Sequence, residues 1–352
     1  MANPPIATTT ASVLVTGGSG FLGSHIVEQF LEDSAFYIAT VSRKPKEASN
    51  QSRVSYHPAD ITSKAQIQAV WDQVKPNIVI HTASPHHLDS ASTLAETNIE
   101  GTKILLKIAK ACPETCAFVY TSSASAIVPT QFPLTEDEAE LYTEGHFQTE
   151  YGMTKAIADS MVQKANSAEL HTTVLRLPTI YGERDTDFVP QLVASMRKNE
   201  HKMQVGSDSK VFEFVYVKKA AEAHKLAAQA LLDPKYVPTV GGEAFFISDG
   251  KPQGIFDFSR KCYAAAGMPV AHEDVTVIPL GLMQYMASTS EWVYKILTLG
   301  TKKSELRRQN IDHLDRGCCW SIDKAKQRLG YVPIADQGDA IKRTMDWAME
   351  NW

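Results

Sequence analysis

The pattern with the clearest catalytic chemistry in this sequence is a tyrosine followed four residues later by a lysine, in Tyr151-Gly-Met-Thr-Lys155. The segment 151–165 has apolar residues at helical spacing, and side chains four apart on a helix share one face. A free phenol ionises near pH ~10, too high for proton transfer at neutrality, whereas a nearby ammonium stabilises the phenolate. The pair therefore predicts a general acid/base, Tyr151, whose pKa is lowered by Lys155.

Three hydroxyl residues end a β-rich run shortly before this pair. Thr121, Ser122 and Ser123 follow Phe118-Val-Tyr, and any one of the three could direct a hydrogen bond to a substrate oxygen. Such a run is also ordinary turn chemistry. Because ligands bind at the carboxyl ends of parallel strands, we expect one of these hydroxyls to lie beside Tyr151.

A glycine-rich turn lies between the first apolar run and the next helical pattern. Gly17, Gly18, Gly20 and Gly23 satisfy both G-x-G-x-x-G and G-x-x-G-x-x-G. Glycines allow a tight turn and a close approach of the backbone to a pyrophosphate, which the amino end of the following helix attracts. With a strand before it and a helix after it, the turn predicts a dinucleotide cofactor.

The end of the second predicted strand favours NADP(H) over NAD(H). An NAD site usually presents an acid to the ribose about 20 residues after the glycine turn, but this chain has Ser42-Arg43-Lys44 there. A guanidinium binds a 2′-phosphate, which a carboxylate would repel. The alternative is that Arg43 and Lys44 are solvated loop charges.

Asp60, after the third predicted strand, has two equally supported roles. Its carboxylate can accept a hydrogen bond from the adenine amine, or it can cap the helix predicted at 64–74, where Thr62 and Ser63 compete for the same cap.

The elements that must position these residues alternate between strand and helix, which predicts an α/β, Rossmann-type, doubly wound parallel sheet. The predicted strands are 12–16, 36–41, 54–57, 78–81, 118–121 and 173–177, and the predicted helices are 21–32, 64–74, 95–111 and 151–165. We expect a dinucleotide-binding domain over 1–185 and an interwoven, smaller substrate-binding portion over 186–352. Strands near 212–217 and 244–248 are candidates for a return to the main sheet.

Composition excludes several classes of protein. The 352 residues carry a net charge of −5 and are 43% hydrophobic, which argues against nucleic-acid binding and against extensive disorder. Five irregularly spaced cysteines fit a reducing, cytoplasmic setting. The first ten residues lack the features of a signal peptide. The uncharged run 275–290 is too short and polar to span a membrane; a buried amphipathic helix is favoured over a segment that covers substrate or touches a membrane.

Taken together, the motifs resemble those of the extended short-chain dehydrogenase/reductases over nearly the whole chain. The matching segments are TGGSGFLG at 16–23, Asp60-Ile61, VIHTASP at 79–85, Asn98-x-x-Gly101-Thr102, FVYTSSAS at 118–125, YGMTK at 151–155 and IYGE at 180–183. Within that superfamily the chain looks most like the branch of 3β-hydroxysteroid and sterol-4α-carboxylate 3-dehydrogenases. That finer resemblance rests on 212–232, 243–252 and 320–333.

The resemblance implies a role for each matching residue. Tyr151 becomes the acid/base, Lys155 holds the nicotinamide ribose, and Ser123 polarises the substrate oxygen. The implied cofactor contacts are Gly17, Gly20, Phe21, Leu22, Gly23, Ser42, Arg43, Lys44, Asp60, Ile61, Thr82, Ala83, Ser84, Tyr151, Lys155, Pro178 and Thr179. The chain departs from the steroid enzymes at Ser42-Arg43, at Arg176-Leu177-Pro178 and at Lys218-Lys219. The first departure favours NADP(H).

The substrate side is less specified. His86, His87, Ser123 and Ser125 are the expected substrate contacts. No metal site is predicted, because adjacent histidines on a loop do not easily converge on one ion and no cysteine/histidine cluster of zinc spacing accompanies them.

The predicted function is an NADP(H)-dependent oxidoreductase that interconverts a secondary alcohol and a ketone on a hydrophobic, polycyclic substrate. If the substrate carries a carboxylate β to the new ketone, carbon dioxide can leave after oxidation. The alternatives are a sugar-nucleotide epimerase or dehydratase that holds NAD tightly, and a catalytically idle NADP-sensing protein. The resemblance also implies a homodimer and is compatible with peripheral contact to an internal membrane.

Overall fold

The protein is described by a computed structural model that covers residues 11–45, 52–297 and 308–352. The strands are β1 (Ala11–Thr16), β2 (Phe36–Ser42), β3 (Val54–Pro58), β4 (Ile78–His81), β5 (Ala117–Ser123), β6 (His171–Leu177), β7 (Thr179–Tyr181), β8 (Met203–Val205), β9 (Val211–Phe212), β10 (Phe214–Tyr216), β11 (Ala244–Phe246), β12 (Gln253–Gly254) and β13 (Thr276–Ile278). The α-helices are α1 (Phe21–Leu31), α2 (Lys64–Val74), α3 (Ala91–Ala95), α4 (Thr102–Ala111), α5 (Glu150–Lys164), α6 (Phe188–Arg197), α7 (Val217–Leu232), α8 (Val237–Val240), α9 (Ile255–Ala265), α10 (Leu280–Leu297), α11 (Arg308–His313), α12 (Asp323–Leu329) and α13 (Gln337–Asn351). A π-helical segment, Glu96–Gly101, joins α3 to α4, and short 3₁₀ turns occur at Ala124–Ala126 and His272–Asp274.

Seven parallel strands form the central sheet in the order β11-β6-β5-β4-β1-β2-β3. The order reverses between β1 and β4, and such a switch point is where doubly wound sheets bind their ligands. The prediction of a Rossmann-type parallel sheet is confirmed, and all six predicted strands lie within two residues of the observed ones.

The sheet is buried on both faces, as its nearly continuous apolar strands require. Every residue of β4 is buried, and the apolar side chains of the strands divide into two hydrophobic clusters, one on each face. On one face α7 packs against α1, and its alanines, among them Ala220, Ala223 and Ala227, are fully buried. Small side chains let this helix approach the sheet closely.

The second half of the chain returns to the main sheet once. Residues 244–246 form the edge strand β11, parallel to β6. The expectation that 212–217 also joins the main sheet is wrong, because this segment divides into β9 and β10, and β10 pairs with β7 instead. The physical reason is Pro178, which has no N–H to donate and separates β7 from β6. The domain boundary near residue 185 stays a prediction.

The run 275–290 does not form the buried helix that we favoured. It contributes to β13 and to α10, whose apolar side chains are largely exposed to solvent. Ala287 is the one buried side chain described in α10, because this helix packs mainly against the short helix α11.

Candidate active site

The glycine turn lies at the carboxyl end of β1, at the switch point of the sheet. Gly17 has a φ of +74°, and its N–H donates to Val41 O of the neighbouring strand at 2.7 Å. Helix α1 begins at Phe21 after Gly20, whose position offers no side-chain cap. The first N–H groups of α1, at Phe21 and Leu22, therefore have no capping side chain, which suits a phosphate ligand.

Close packing inside the turn requires glycine. A Cβ atom at Gly23 would lie 2.1 Å from Gly17 O, and one at Gly18 would lie 2.8 Å from the Thr40 side chain. The backbone of α1 therefore passes directly against the turn. The glycine turn fits the pyrophosphate of a dinucleotide, because it has no room for side chains at these glycines and leaves its backbone bare for the ligand.

The end of β2 carries the residues predicted to select the cofactor. Arg43 and Lys44 are both exposed, and Arg43 forms no hydrogen bond or ion pair with the described part of the chain. The Ser42 hydroxyl lies 3.2 Å from the hydroxyl of Ser19, in the glycine turn. Ser19 was missed by the sequence reasoning, since nothing in the motif shows that it reaches β2.

Asp60 does not cap α2, because Ser63 occupies the N-cap and accepts from Gln66 N. One oxygen of the Asp60 carboxylate accepts from the N–H and the hydroxyl of Thr62. The other oxygen has no partner in the described chain, and Ile61 beside it is buried. Of the two roles left open for Asp60, the cap is therefore excluded and the adenine contact stays a prediction.

The loop after β4 brings three predicted cofactor residues to the same edge. Thr82 donates its hydroxyl hydrogen bond to Thr16 O at 2.7 Å, and Ala83 N donates to the Thr16 hydroxyl. Ser84 donates to the buried amide of Asn98 at 2.9 Å. Asn98 lies in the π-helical segment, a conformation that is frequent at functional sites.

Of the three candidate hydroxyls at the end of β5, only Ser123 lies beside Tyr151. The Ser123 and Ser84 hydroxyls lie near enough to the Tyr151 phenol to favour its ionised form. Thr121 points to the buried His224 at 2.8 Å, and the buried Ser122 hydroxyl has no partner among described residues. Alternation along a strand explains Ser122, which faces the opposite side of the sheet, whereas Thr121 faces the same side as Ser123 but pairs with His224.

Tyr151 and Lys155 lie one turn apart on the same face of α5. The groups around each of them differ from the prediction that Lys155 lowers the pKa of Tyr151. Lys155 Nζ donates to Thr121 O at 2.5 Å and lies 4.4 Å from the centre of the Tyr120 ring. Burial lowers the pKa of Lys155 to about 7, against the charge of Asp159. Burial also raises the pKa of Tyr151, while its hydrogen bonds to the two serines oppose that rise.

Buried polar pairs hold the strand ends in place below this site. His81 bridges Thr16 and Thr102 at 2.7 and 3.0 Å, and burial lowers its pKa to about 3. Arg176 forms a buried ion pair with Asp159 of α5 at 3.0 Å. None of these pairings has a local sequence signal, since the partners are far apart in the chain.

Pro178 is buried at the break between β6 and β7, and Thr179 begins β7 at the carboxyl edge of the sheet. Both residues are therefore at the edge where the other predicted cofactor residues lie. Ser125 is exposed, and its N–H donates to the Ser123 hydroxyl at 3.1 Å.

The two predicted substrate histidines lie at the rim of the site. His87 contacts the Tyr151 ring edge-to-face at 6.3 Å, and its ring centre is 4.3 Å from that of His86. Asp187 lies 3.4 Å from His86 Nε2 and 3.6 Å from His87 Nδ1. One ligand atom from each of the three residues lies within 4.8 Å of the others, so Asp187 and the two histidines do come together, while the expectation of no metal site stays a prediction. Asp187 comes from the distant loop before α6, which sequence spacing does not show.

The fold and the site can now be compared with known proteins. Residues 14–280 match the 3-beta hydroxysteroid dehydrogenase/isomerase family. The chain belongs to this family. It is an NAD(P)-dependent oxidoreductase of the extended short-chain dehydrogenase/reductase type, as predicted.

Two relatives are named for the same activity. The chain is 55% identical, over 83% of its length and 97% of the relative's, to a Gibberella zeae protein named sterol-4-alpha-carboxylate 3-dehydrogenase, decarboxylating. A Saccharomyces cerevisiae protein of the same name is 33% identical over 96% of this chain and 98% of its own. Among solved structures, UDP-glucose 4-epimerase from Thermotoga maritima superposes with a TM-score of 0.72 at 20% identity, covering 96% of this chain and 99% of its own. That last likeness shows the shared fold alone.

Proposed function

We propose that this enzyme oxidises the 3-hydroxyl of a sterol that carries a carboxylate at the adjacent carbon, with NADP⁺ as the hydride acceptor and Tyr151 as the acid/base. The observation that carries the proposal is the Tyr151 phenol, which lies beside the Ser123 hydroxyl at the carboxyl edge of the sheet. The activity for which the relatives are named supports the sterol carboxylate as substrate.

A nicotinamide cofactor, when bound, supplies the exchange of a hydride with the carbinol carbon. The glycine turn and the start of α1 hold its pyrophosphate, and Lys155 holds its ribose. Ser123 hydrogen-bonds the substrate hydroxyl and orients it toward Tyr151. The Tyr151 oxygen accepts the proton that leaves this hydroxyl once the phenol has released its own proton to solvent, an ionisation that the positive charge of a bound oxidised nicotinamide would favour, and Ser84 lies beside the phenol.

Loss of carbon dioxide follows from the product of this step. The new ketone is β to the carboxylate, so the carbon–carbon bond to the carboxylate can break with its electron pair moving towards the ketone oxygen. Carbon dioxide leaves, and the resulting enolate is protonated at carbon to give the ketone. This step requires no residue beyond those that hold the ketone.

The choice of NADP(H) rests on the end of β2. No carboxylate stands there to repel a 2′-phosphate, and the exposed Arg43 has no partner in the described chain. An Arg43→Ala variant should raise the KM for NADP⁺ roughly 10- to 100-fold, the effect of losing a charge-assisted hydrogen bond. The KM for NAD⁺ serves as the internal control. A variant that keeps the full preference for NADP⁺ would overturn this choice.

The acid/base assignment is tested with Tyr151→Phe, which removes only the hydroxyl. Turnover of a 4-carboxysterol should fall at least 1000-fold, since proton transfer contributes roughly 10² to 10⁴ and the Ser123 contact is lost as well. Tyr37→Phe, which alters an exposed tyrosine on β2, is the matched control. Near-normal turnover by Tyr151→Phe would refute the assignment.

We also propose that the enzyme rests on a membrane surface through α10. No helix in the described ranges is long and apolar enough to cross a bilayer. Helix α10 nevertheless exposes Tyr285, Trp292 and Leu297 at 69%, 65% and 77%. Aromatic side chains of this kind favour the interface between lipid and water, where a sterol substrate also partitions. The basic residues Lys302 and Lys303 lie outside the described ranges.

A further inference from the structure

A cleft opens beside the candidate active site. Ser125, two residues from Ser123, and Thr149, two residues from Tyr151, form part of its wall. The cleft therefore offers space for part of a substrate next to the segments that carry Ser123 and Tyr151.

Arg316 gives this cleft an unbalanced charge. The described lining contains no aspartate or glutamate. His313 in the same wall is exposed, and the nearby positive charge of Arg316 disfavours a second positive charge on its ring. Arg316 is half-buried, and its guanidinium forms no hydrogen bond or ion pair with the described residues.

Two further donors in the same wall lack acceptors. The hydroxyl of Tyr142 and the Nε1 of Trp320 are buried without a hydrogen-bond partner among the described residues, and each side chain is 6% exposed. Arg316 and Tyr142 line the same cleft, and the charge of Arg316 opposes the rise that burial causes in the pKa of Tyr142. Trp320 is held in place by stacking on Phe246 at 4.3 Å.

Leaving such groups without partners is unfavourable. A buried donor without an acceptor costs roughly 1 to 3 kcal/mol, and a charged one costs more. A carboxylate offers oxygen acceptors to a guanidinium, a phenol and an indole N–H at once. Apolar side chains such as Ile127, Val128 and Leu134 line the rest of the cleft.

We infer that Arg316, Tyr142 and Trp320 form the subsite that binds the carboxylate of the substrate and so select carboxylated sterols over neutral ones. This inference rests on the proposed function. The polarity of the cleft matches an apolar body with one anionic group, since its described lining holds a single permanent cation, Arg316. A sugar nucleotide, with two phosphates and a polar sugar, does not match an apolar wall of this kind.

The test combines enzyme variants with paired substrates. Arg316→Gln and Tyr142→Phe are assayed on a 3β-hydroxysterol with the 4-carboxylate and on the same sterol without it. For the carboxylated substrate, kcat/KM should fall roughly 10- to 100-fold in Arg316→Gln and roughly 3- to 10-fold in Tyr142→Phe, mainly through KM. For the neutral sterol, both variants should remain within about twofold of wild type. Arg328→Gln, which alters a surface arginine on α12, is the matched control.

Equal losses on both substrates, or no loss on either, would overturn the inference. Arg316→Lys, which keeps the charge but not the planar fork, should recover part of the lost affinity. Binding of a 4-carboxysterol that lacks the 3-hydroxyl provides a readout independent of turnover. If wild type binds this compound through Arg316 but oxidises no sterol, the proposed function fails while the subsite stands. If wild type oxidises the carboxysterol and Arg316→Gln is unchanged, only the subsite fails.

Discussion

Replacing Lys155 with methionine should abolish turnover and, at the same time, stabilise the fold. Lys155 is 3% exposed, and burial lowers its pKa from 10.5 to about 7. Such a change corresponds to roughly 4 kcal/mol of unfavourable free energy at neutral pH. Methionine retains most of the aliphatic stem but leaves Thr121 O without its donor, at a cost of roughly 1 kcal/mol. The free energy of unfolding should therefore rise by roughly 3 kcal/mol.

The lowered pKa of Lys155 also determines how the stability of wild type changes with pH. Between about pH 7 and 10.5 the folded protein has already lost the lysine proton while the unfolded chain still holds it. The stability of wild type therefore rises with pH in this window. The stability that Lys155→Met gains over wild type should be largest below pH 7 and disappear at about pH 10, where the remaining penalty on wild type equals the roughly 1 kcal/mol lost at Thr121 O.

The assay is urea unfolding of protein stripped of cofactor, followed by tryptophan fluorescence at pH 7 and at pH 10. Lys164→Met, which changes an exposed lysine on the same helix, should leave stability unchanged at both values. If Lys155→Met is less stable than wild type at pH 7, or if its advantage does not shrink with pH, the reasoning from burial is wrong.

Three other perturbations have defined outcomes. Gly23→Ala places a Cβ against Gly17 O in the glycine turn. Because the backbone of the turn can then no longer approach the pyrophosphate as closely, cofactor affinity measured by calorimetry should fall at least tenfold. Arg176→Met leaves the buried Asp159 charge unpaired and should lower the free energy of unfolding by roughly 3 to 5 kcal/mol in urea titration. Trp292→Ser removes a 65% exposed indole and should weaken sedimentation with anionic vesicles roughly tenfold, with turnover of a soluble substrate unchanged.

Each of these predictions has its own control. Restoring charge balance in Arg176→Met by the second change Asp159→Leu should recover most of the lost stability, and its failure to do so would contradict the ion-pair argument. Unchanged vesicle binding by Trp292→Ser would remove α10 as the contact surface. Normal cofactor binding by Gly23→Ala would mean that the turn relaxes without loss.

Local sequence patterns were sufficient to predict the central sheet and the loops that meet at the carboxyl ends of its strands. The strands are buried on both faces, so their apolar runs are unmistakable, and the glycine turn has a strand and a helix around it. Alternation along β5 also removes Ser122 as a partner of Tyr151, but it does not separate Thr121 from Ser123, which share a side; the contact of Thr121 with His224 does that. The homodimer stays a prediction.

Long-range contacts account for what local patterns missed. Asp187 meets His86 across about 100 residues of chain, and Arg316 reaches the wall of the cleft from a segment far beyond the sheet. The same holds for Lys155, because its pKa depends on the depth at which α5 is buried rather than on the spacing to Tyr151. Helical periodicity also failed at α10, where an apolar face has little protein to cover it.

The stacking of Trp320 on Phe246 has a consequence for the order in which the molecule is made. Phe246 belongs to β11, which is the last strand of the central sheet to leave the ribosome. Trp320 follows roughly 4 to 15 s later at ordinary rates of translation. The nascent chain can therefore complete the central sheet while the Phe246 ring at its edge is still uncovered, because Trp320 has not yet been synthesised. Chains released early, before Trp320, would present that face to chaperones and proteases.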